Sequence, residues 1–205
     1  DEGDEESILL KKIIFEEGST GKLYVRGGYD KEGRATIYMR PRHENTKHEL
    51  NQMRFLVYTL ERAIACTQRR TSGCHEKINI MIDFDGYRIR DAPSLSTSRH
   101  TLTILQNHYP ERLNVAFVCN PPLAFRAFWS IVQPFIDPLT KEKLIFCHGV
   151  AGVAKVAERY DLAHVEKCGG GAHGVKCPPF CSKTYFSTPL VYGYGEVHES
   201  SSQSL

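Results

Sequence analysis

The chain has 205 residues, 41% of them hydrophobic, which is enough to bury one large core. Its 26 basic and 24 acidic side chains almost balance at a formal charge of +2, which argues against a nucleic-acid-binding surface. The start, DEGDEES, is acidic and unlike a signal peptide, no apolar run reaches the length of a membrane span, and seven scattered cysteines fit a reducing compartment. We therefore expect a cytoplasmic protein.

The first third of the chain predicts a hairpin followed by a helix. Two β-prone runs, Leu23–Arg26 and Thr36–Met39, flank GGYDKEGR, whose glycines and aspartate supply turn conformations. The spacing of apolar residues then changes from Asn45 onward. They recur every three or four positions as far as Gln68. This pattern predicts an amphipathic helix that begins at Asn45 or Thr46, either of which is a suitable cap.

Strands and helices alternate in the middle of the chain. Three runs are apolar enough for central strands of a sheet: KINIMIDFDG, RLNVAFVCN and KLIFC. Helices are predicted over 95–109, 123–135 and 153–160. This alternation predicts an α/β fold with a mainly parallel sheet covered by helices.

The segment 123–135 is unusually apolar for a helix that packs on a sheet. Its polar residues Arg126, Ser130 and Gln133 fall at i, i+4 and i+7 and leave one narrow polar stripe. Two interpretations remain open: a helix buried between the sheet and another helix, or a lid whose inner face lines an apolar cavity and whose outer face meets a membrane. The candidate lid and pocket residues are Phe125, Phe128, Trp129, Ile131, Val132 and Phe135.

Three motifs together resemble the CRAL-TRIO lipid-binding domain, and within it the phosphatidylinositol-transfer branch. They are DKEGRATIYMRP, INIMIDFDG and NHYPERLNVAFVCNPPLAFRAFWSIVQPFIDPLTKEKLIF. The resemblance covers about 21–171. It implies a mixed, mainly parallel sheet that floors an apolar lipid pocket, with helical cover and segment 123–135 as a mobile gate helix. It also implies a bound lipid as cargo, no other cofactor and no catalysis.

The resemblance also implies a head-group site made by two charged turns. Glu111 of the YPER turn would accept hydrogen bonds from inositol hydroxyls, while Thr140 and Lys143 of DPLTKEK would contact the phosphate. The alternative is that Glu111 pairs with a nearby basic side chain, and that Thr140 and Lys143 are turn residues with no role in ligand binding. The family's N-terminal helical subdomain, which adds a basic residue to this site in some members, is absent here or reduced to residues 7–17.

Other chemistry has weaker support. Asp83 and Asp85 could form the carboxylate pair of a metal-dependent hydrolase, although a turn explains them better. Five potential zinc ligands have spacings looser than the usual Cys-x-x-Cys pair: His164, Cys168, His173, Cys177 and Cys181. No Ser-His-Asp set, phosphate-binding glycine loop or dinucleotide motif is present. We therefore predict neither a metal nor a catalytic residue.

The resulting functional prediction is a monomeric, soluble lipid carrier. We expect a lead-in over 1–20 that is the remnant of the N-terminal subdomain, the lipid-binding domain over 21–195, and a disordered tail over 196–205. The carrier would bind one phospholipid, with phosphatidylinositol as the first choice and exchange for phosphatidylcholine, and would touch membranes only transiently. The alternative is a lipid-sensing interaction module without transfer activity.

Overall fold

The computed structural model describes residues 2–88, 93–123, 125–171 and 179–196, apart from the side chains of Glu2 and Phe128. Within this part the helices are α1 Glu2–Gly18, α2 Glu49–Arg70, α3 Leu95–His108, α4 Phe125–Val132, α5 Pro138–Glu142, α6 Gly149–Arg159 and α7 Ser182–Ser187. The strands are β1 Leu23–Arg26, β2 Thr36–Met39, β3 Ile78–Asp83, β4 Leu113–Cys119 and β5 Leu144–Cys147. Of the predicted tail only Glu196 is described, and its carboxylate pairs with Arg69 and accepts from the Tyr29 hydroxyl at 2.7 Å. The candidate ligands His173 and Cys177 lie outside the described residues.

The five strands form one sheet in the order β1-β2-β3-β4-β5. The first pair is the predicted antiparallel hairpin, and the other three pairs are parallel. The register places Ile82 of β3 beside Val118 of β4, and Val118 beside Phe146 of β5. The prediction of a mixed, mainly parallel sheet is therefore confirmed.

Strand alternation divides the core into two faces. On one face, the strand residues Val25, Ile37 and Ile78 pack with Phe55 and Leu60 of α2, and α3 covers the same face. Residues that point to the opposite face pack with α6 and the C-terminal segment, and include Tyr24, Tyr38, Met81, Phe117 and Val156. We call these the α3 face and the α6 face. Among the described helices, none is both long and apolar enough to cross a lipid bilayer.

The predicted cap of α2 is wrong. The helix begins at Glu49, and the ring of His48 accepts the hydrogen bond of the Asn51 backbone N–H. The two predicted caps are engaged elsewhere: the Asn45 amide donates to the Glu16 carbonyl at 2.9 Å, and the Thr46 hydroxyl donates to the Glu17 carboxylate at 2.8 Å. Tertiary contacts with α1 therefore override the local capping preference.

The apolar helix is shorter than its pattern predicts. It ends at Val132 and continues as a 3-10 turn over Gln133–Phe135, because Pro134 has no backbone N–H to extend the α-helical ladder. Two helices were not predicted at all. The first is α5, which starts with the Asp137 cap and Pro138, and the second is α7, which lies among glycine, proline and serine residues.

Gly152 allows α6 to lie directly on β5. A Cβ atom at this position would lie 2.7 Å from the Cα and carbonyl carbon atoms of Cys147, and neither backbone atom can move aside freely. We expect Gly152→Ala to lower the free energy of unfolding by about 2 kcal/mol, although alanine has the better helix propensity by about 1 kcal/mol. Urea denaturation measures the change, with Ala154→Gly at an exposed position of α6 as the propensity control. A stabilised Gly152→Ala variant would contradict the close contact.

Candidate functional site

The α3 face carries apolar surface that the described elements only partly cover. Ile80 and Ile82 lie on the central strand β3, yet both are only half-buried. On α3, the sole fully buried residue is Ser98, whereas Leu102 and Leu105 are half-buried. A central strand and an amphipathic helix normally bury such side chains completely, so apolar side chains of β3 and α3 remain partly uncovered here. We call this surface beside α4 the apolar groove.

Aromatic packing attaches α4 to the sheet beside this groove. Phe125 is buried, and its ring centroid lies 4.6 Å from that of Phe84, which follows β3. One turn later, Trp129 meets Phe146 of β5 edge to face at 5.5 Å. Val132 is also buried. One side of the predicted gate helix therefore packs on the ends of three strands through rings, which bury large areas.

The other side of α4 faces solvent. Ile131 is 55% exposed and Phe135 is 40% exposed, and the flanking Leu123 and Leu139 are more exposed still. The helix is therefore not buried between the sheet and a second helix in the described part of the chain. An apolar strip at the protein surface remains, which is the arrangement that a lid with an outer apolar face requires.

The two ends of α4 are held differently. At its start, Asn120 has φ +53°, its N–H donates to the Cys147 carbonyl at 3.0 Å, and Pro121 and Pro122 follow. At its far end, the side-chain amide of Gln106 donates to the Phe135 carbonyl at 3.1 Å, and the guanidinium carbon of Arg99 lies 4.6 Å from the Phe135 ring centroid. Helix α3 therefore holds the end of the 3-10 turn.

Glu111 and Lys143 lie at the same end of the sheet, where β4 and β5 begin. Glu111 is exposed in the turn before β4, with φ +58°, and Lys143 immediately precedes β5. The Ala116 N–H donates to the Lys143 carbonyl at 2.9 Å, so Lys143 lies level with Val115, up to about 13 Å along the strand from Glu111. No ion pair engages either side chain within the described residues. Both charges are therefore available to an elongated ligand.

Thr140 is already hydrogen-bonded within the protein. Its backbone N–H donates to the Asp137 carboxylate at 2.8 Å, and its hydroxyl also bonds to that carboxylate. These hydrogen bonds to the charged form lower the pKa of Asp137. Thr140 lies one turn from Lys143 on the same short helix, and its hydroxyl would have to leave Asp137 to donate to a phosphate.

The structure describes three of the five candidate metal ligands, and these three are not brought together. Among the described residues, no group of three or more His, Cys, Asp or Glu side chains could hold a metal ion. His164 lies 3.8 Å from Asp161, and Cys181 is exposed. The carboxylate of Asp83 accepts from the Arg42 guanidinium at 2.9 Å and from the Asp85 N–H at 3.0 Å, which identifies a turn with an ion pair.

Two buried polar clusters lie outside the predicted lipid site. No motif or residue spacing in the sequence predicted either of them. In the first, the Glu166 carboxylate accepts hydrogen bonds from Arg26, Arg40 and Tyr24. Burial, followed by the charge of Glu166, raises the pKa of Tyr24. This cluster ties the β1–β2 hairpin to the 3-10 turn that follows α6, across more than a hundred residues of sequence.

The second cluster surrounds Arg62, which is 1% exposed on α2. Its guanidinium donates to the Tyr185 carbonyl at 3.1 Å and to the Tyr192 carbonyl at 2.9 Å and 3.2 Å. It also donates to the Tyr58 hydroxyl at 3.1 Å and lies 4.0 Å from the Tyr185 ring centroid. No carboxylate among the described residues pairs with it, so Arg62 joins α2 to the C-terminal segment through neutral acceptors.

Comparison with known proteins identifies the family to which this fold belongs. A family model described as CRAL/TRIO domain matches residues 19–171. The phosphatidylinositol transfer protein PDR17 of Saccharomyces cerevisiae is 35% identical over 148 residues, which cover 70% of this chain and 41% of that protein. A CRAL-TRIO domain-containing protein of Schizosaccharomyces pombe is 43% identical over 133 residues, or 65% of this chain and 13% of that protein.

A solved structure supports the same fold. The crystal structure of Sfh5 matches with a TM-score of 0.52 at 18% identity, covering 62% of this chain and 48% of that one. The chain thus spans less than half the length of each of these three proteins. The family match covers most of the chain and includes every strand and the segment that contains α4. The chain therefore belongs to the CRAL-TRIO domain family, as its motifs predict.

Proposed function

We propose that this chain binds a single lipid in the apolar groove beside α4 and transfers it between membranes, without catalysis. The observation that carries the proposal is that Ile80 and Ile82 are only partly buried on a central strand, which normally has both faces covered. Two acyl chains of common length cost on the order of 20 kcal/mol to expose to water, so a carrier needs such an apolar floor and a cover.

The cover in this proposal is α4. Its inner aromatics, Phe125 and Trp129, close one side of the groove, while Ile131 and Phe135 face outward and would enter the interface of a bilayer during exchange. Membrane contact is transient and takes place at the cytoplasmic surface, and the carrier acts as a monomer. PDR17, a relative that is named as a phosphatidylinositol transfer protein, supports the choice of cargo class.

Phosphatidylinositol is the proposed cargo, exchanged for phosphatidylcholine. Glu111 would accept from inositol hydroxyls, and Lys143, with Thr140, would pair with the phosphodiester. Support comes from the position of Glu111 and Lys143 at one end of the sheet, where neither is engaged in an ion pair within the described residues. The bond between Thr140 and Asp137 makes Lys143 the stronger of the two phosphate contacts.

Mass spectrometry of solvent extracts from the purified chain tests the carrier proposal. We expect one lipid per protein molecule after exhaustive washing, with inositol lipids enriched when the protein is incubated with mixed vesicles. Extracts without any stoichiometric lipid, from protein that is folded by circular dichroism, would overturn the proposal.

Head-group variants separate cargo choice from lipid binding. Lys143→Ala should lower the rate of phosphatidylinositol transfer between vesicles about tenfold, because a charge-assisted phosphate contact is lost, and Glu111→Ala should act in the same direction. Phosphatidylcholine transfer should respond less to Glu111→Ala, since choline offers no hydroxyls. Lys141→Ala, an exposed lysine on the same short helix, is the matched control. Unchanged transfer in both variants would remove the head-group assignment while leaving the carrier proposal standing.

A lipid-sensing module is the second candidate. This chain matches only 13% of its Schizosaccharomyces pombe relative, so the same domain also occurs inside a much larger protein. A sensing module would retain its lipid tightly and move very little of it between vesicles. Transfer rate measured beside lipid retention distinguishes the two candidates.

A further inference from the structure

Three cysteine side chains meet on the α6 face, away from the lipid groove. Cys119 is the last residue of β4 and Cys147 the last residue of β5, and the two are direct partners in the strand register. Cys168 lies in the 3-10 turn Lys167–Gly169 beside them. Cys119 and Cys147 belong to one buried cluster, and Cys168 packs against that cluster. The Cys147 thiol donates to the Ile145 carbonyl at 3.7 Å.

A cleft of about 390 Å³ gives solvent access to this cluster. It lies at the carboxyl ends of β4 and β5, and its walls include Asn120, Cys147, Val150, Val153, Lys167 and Cys168. Cys119 itself is completely buried behind Cys147. A small molecule that enters the cleft therefore meets Cys147 or Cys168 first, and Cys119 can react only through one of them.

The surroundings of Cys147 favour its thiolate. Lys167 lines the cleft, α6 begins two residues after Cys147, and Gly152 in the first turn of α6 lies against Cys147. A cation and the start of a helix both favour a nearby thiolate. A hydrogen bond from Cys119, and then the charge of Lys155, lower the pKa of Cys147 against the effect of burial. The same hydrogen bond and that to Cys168 raise the pKa of Cys119. Cys147 lines the cleft whereas Cys119 is completely buried, so Cys147 is the nucleophile of the pair and Cys119 the second thiol to react.

We propose that this cleft is an oxidation site for hydrogen peroxide and small hydroperoxides, at which Cys147 reacts first and Cys119 then forms a disulfide with it. The Cys147 thiolate attacks one peroxide oxygen, the O–O bond breaks, and a sulfenic acid and hydroxide form. The hydroxide takes the proton released by Cys147 and leaves as water. The Cys119 sulfur next attacks the Cys147 sulfur, the S–OH bond breaks, and the hydroxyl group leaves as water with the Cys119 proton. Two thiols are thus oxidised while one hydrogen peroxide is reduced to two waters, or one organic hydroperoxide to one water and one alcohol.

The sheet geometry is compatible with this product. Partner residues on adjacent strands have Cα atoms about 5 Å apart, inside the range of about 4.4–6.8 Å that disulfides span. Within the described part of the chain, no third His, Cys, Asp or Glu side chain lies close enough to Cys119 and Cys147 to complete a metal site. The disulfide is therefore assigned to this pair on the strand register alone.

Peptide mapping of the peroxide-treated chain tests the site. We expect hydrogen peroxide to convert the reduced protein into a species lighter by two hydrogen atoms, with a link between the peptides of Cys119 and Cys147 that dithiothreitol reverses. Cys119→Ser should stop the reaction at a Cys147 sulfenic acid that dimedone traps. Cys74→Ser, which removes an exposed cysteine, should leave the link intact.

Two results would overturn this assignment. One is that Cys119 and Cys147 stay reduced at peroxide concentrations that oxidise the exposed Cys74 in the same sample, a comparison that needs no variant to fold. The other is a link from Cys168 to either partner in place of the Cys119–Cys147 link. Lipid content of the oxidised protein does not enter either criterion, so the result is independent of the carrier proposal.

Discussion

Replacing Arg62 with alanine is expected to lower the free energy of unfolding by about 3–5 kcal/mol. The substitution removes a buried guanidinium and leaves the carbonyls of Tyr185 and Tyr192 without their donor. It also removes the planar group that stacks over the Tyr185 ring and creates a cavity between α2 and the C-terminal segment. Each loss acts on the folded state alone.

Chemical denaturation of Arg62→Ala and Arg62→Lys measures this effect. Arg62→Lys should lose most of the same stability, because one ammonium group cannot reach both carbonyls with the geometry of a guanidinium. Arg54→Ala on the exposed side of α2 is the matched control and should change stability by less than about 0.5 kcal/mol. A loss of similar size in Arg54→Ala and Arg62→Ala would show that helix propensity, rather than the buried network, accounts for it.

Replacing Ile131 with aspartate is expected to lower the rate of lipid transfer about tenfold while leaving stability unchanged. Ile131 is 55% exposed, so the folded protein tolerates a charge there. At a membrane the same position would enter the bilayer interface, where an apolar side chain gains about 1–2 kcal/mol and a carboxylate gains nothing.

Leu190→Asp is the control for that experiment, since Leu190 is 53% exposed and lies in the C-terminal segment away from α4. Vesicle sedimentation and a fluorescent lipid-transfer assay should show a defect for Ile131→Asp only. If both variants transfer lipid at the wild-type rate, the outer side of α4 does not enter the membrane.

Elements with strong local periodicity could be predicted well from the sequence. The hairpin strands have the predicted bounds, and the three apolar runs became parallel neighbours, because residues buried on both faces leave a continuous apolar signature. The placement of Glu111 and Lys143 at one end of the sheet follows from the same strand pattern, because each lies in the turn before a parallel strand. The signal of each element lies within a short stretch of sequence, although the parallel strands themselves pair across distant parts of the chain.

What could not be predicted depends on distant partners. Arg62 and Glu166 look like ordinary surface residues in the sequence, and only the folded chain brings their partners to them from more than a hundred residues away. The cap of α2 was missed for a related reason, because α1 takes both of the suitable side chains. Thr140 is a different case: its bond to Asp137 is local, and the DPLT helix start could have revealed it.

The two attachments of α4 differ in stiffness, and this sets the direction in which the helix can turn. Proline fixes φ near −65°, so Pro121 and Pro122 leave little backbone freedom where the chain enters the helix. The opposite end depends on Gln106 and Arg99, whose single hydrogen bond and cation–π contact are worth about 1 kcal/mol each. For the carrier proposed above, we expect α4 to rotate about the proline pair and to open the groove first at Phe135. A lipid would then enter and leave beside α3, through an opening at the far end of the helix from the strand ends.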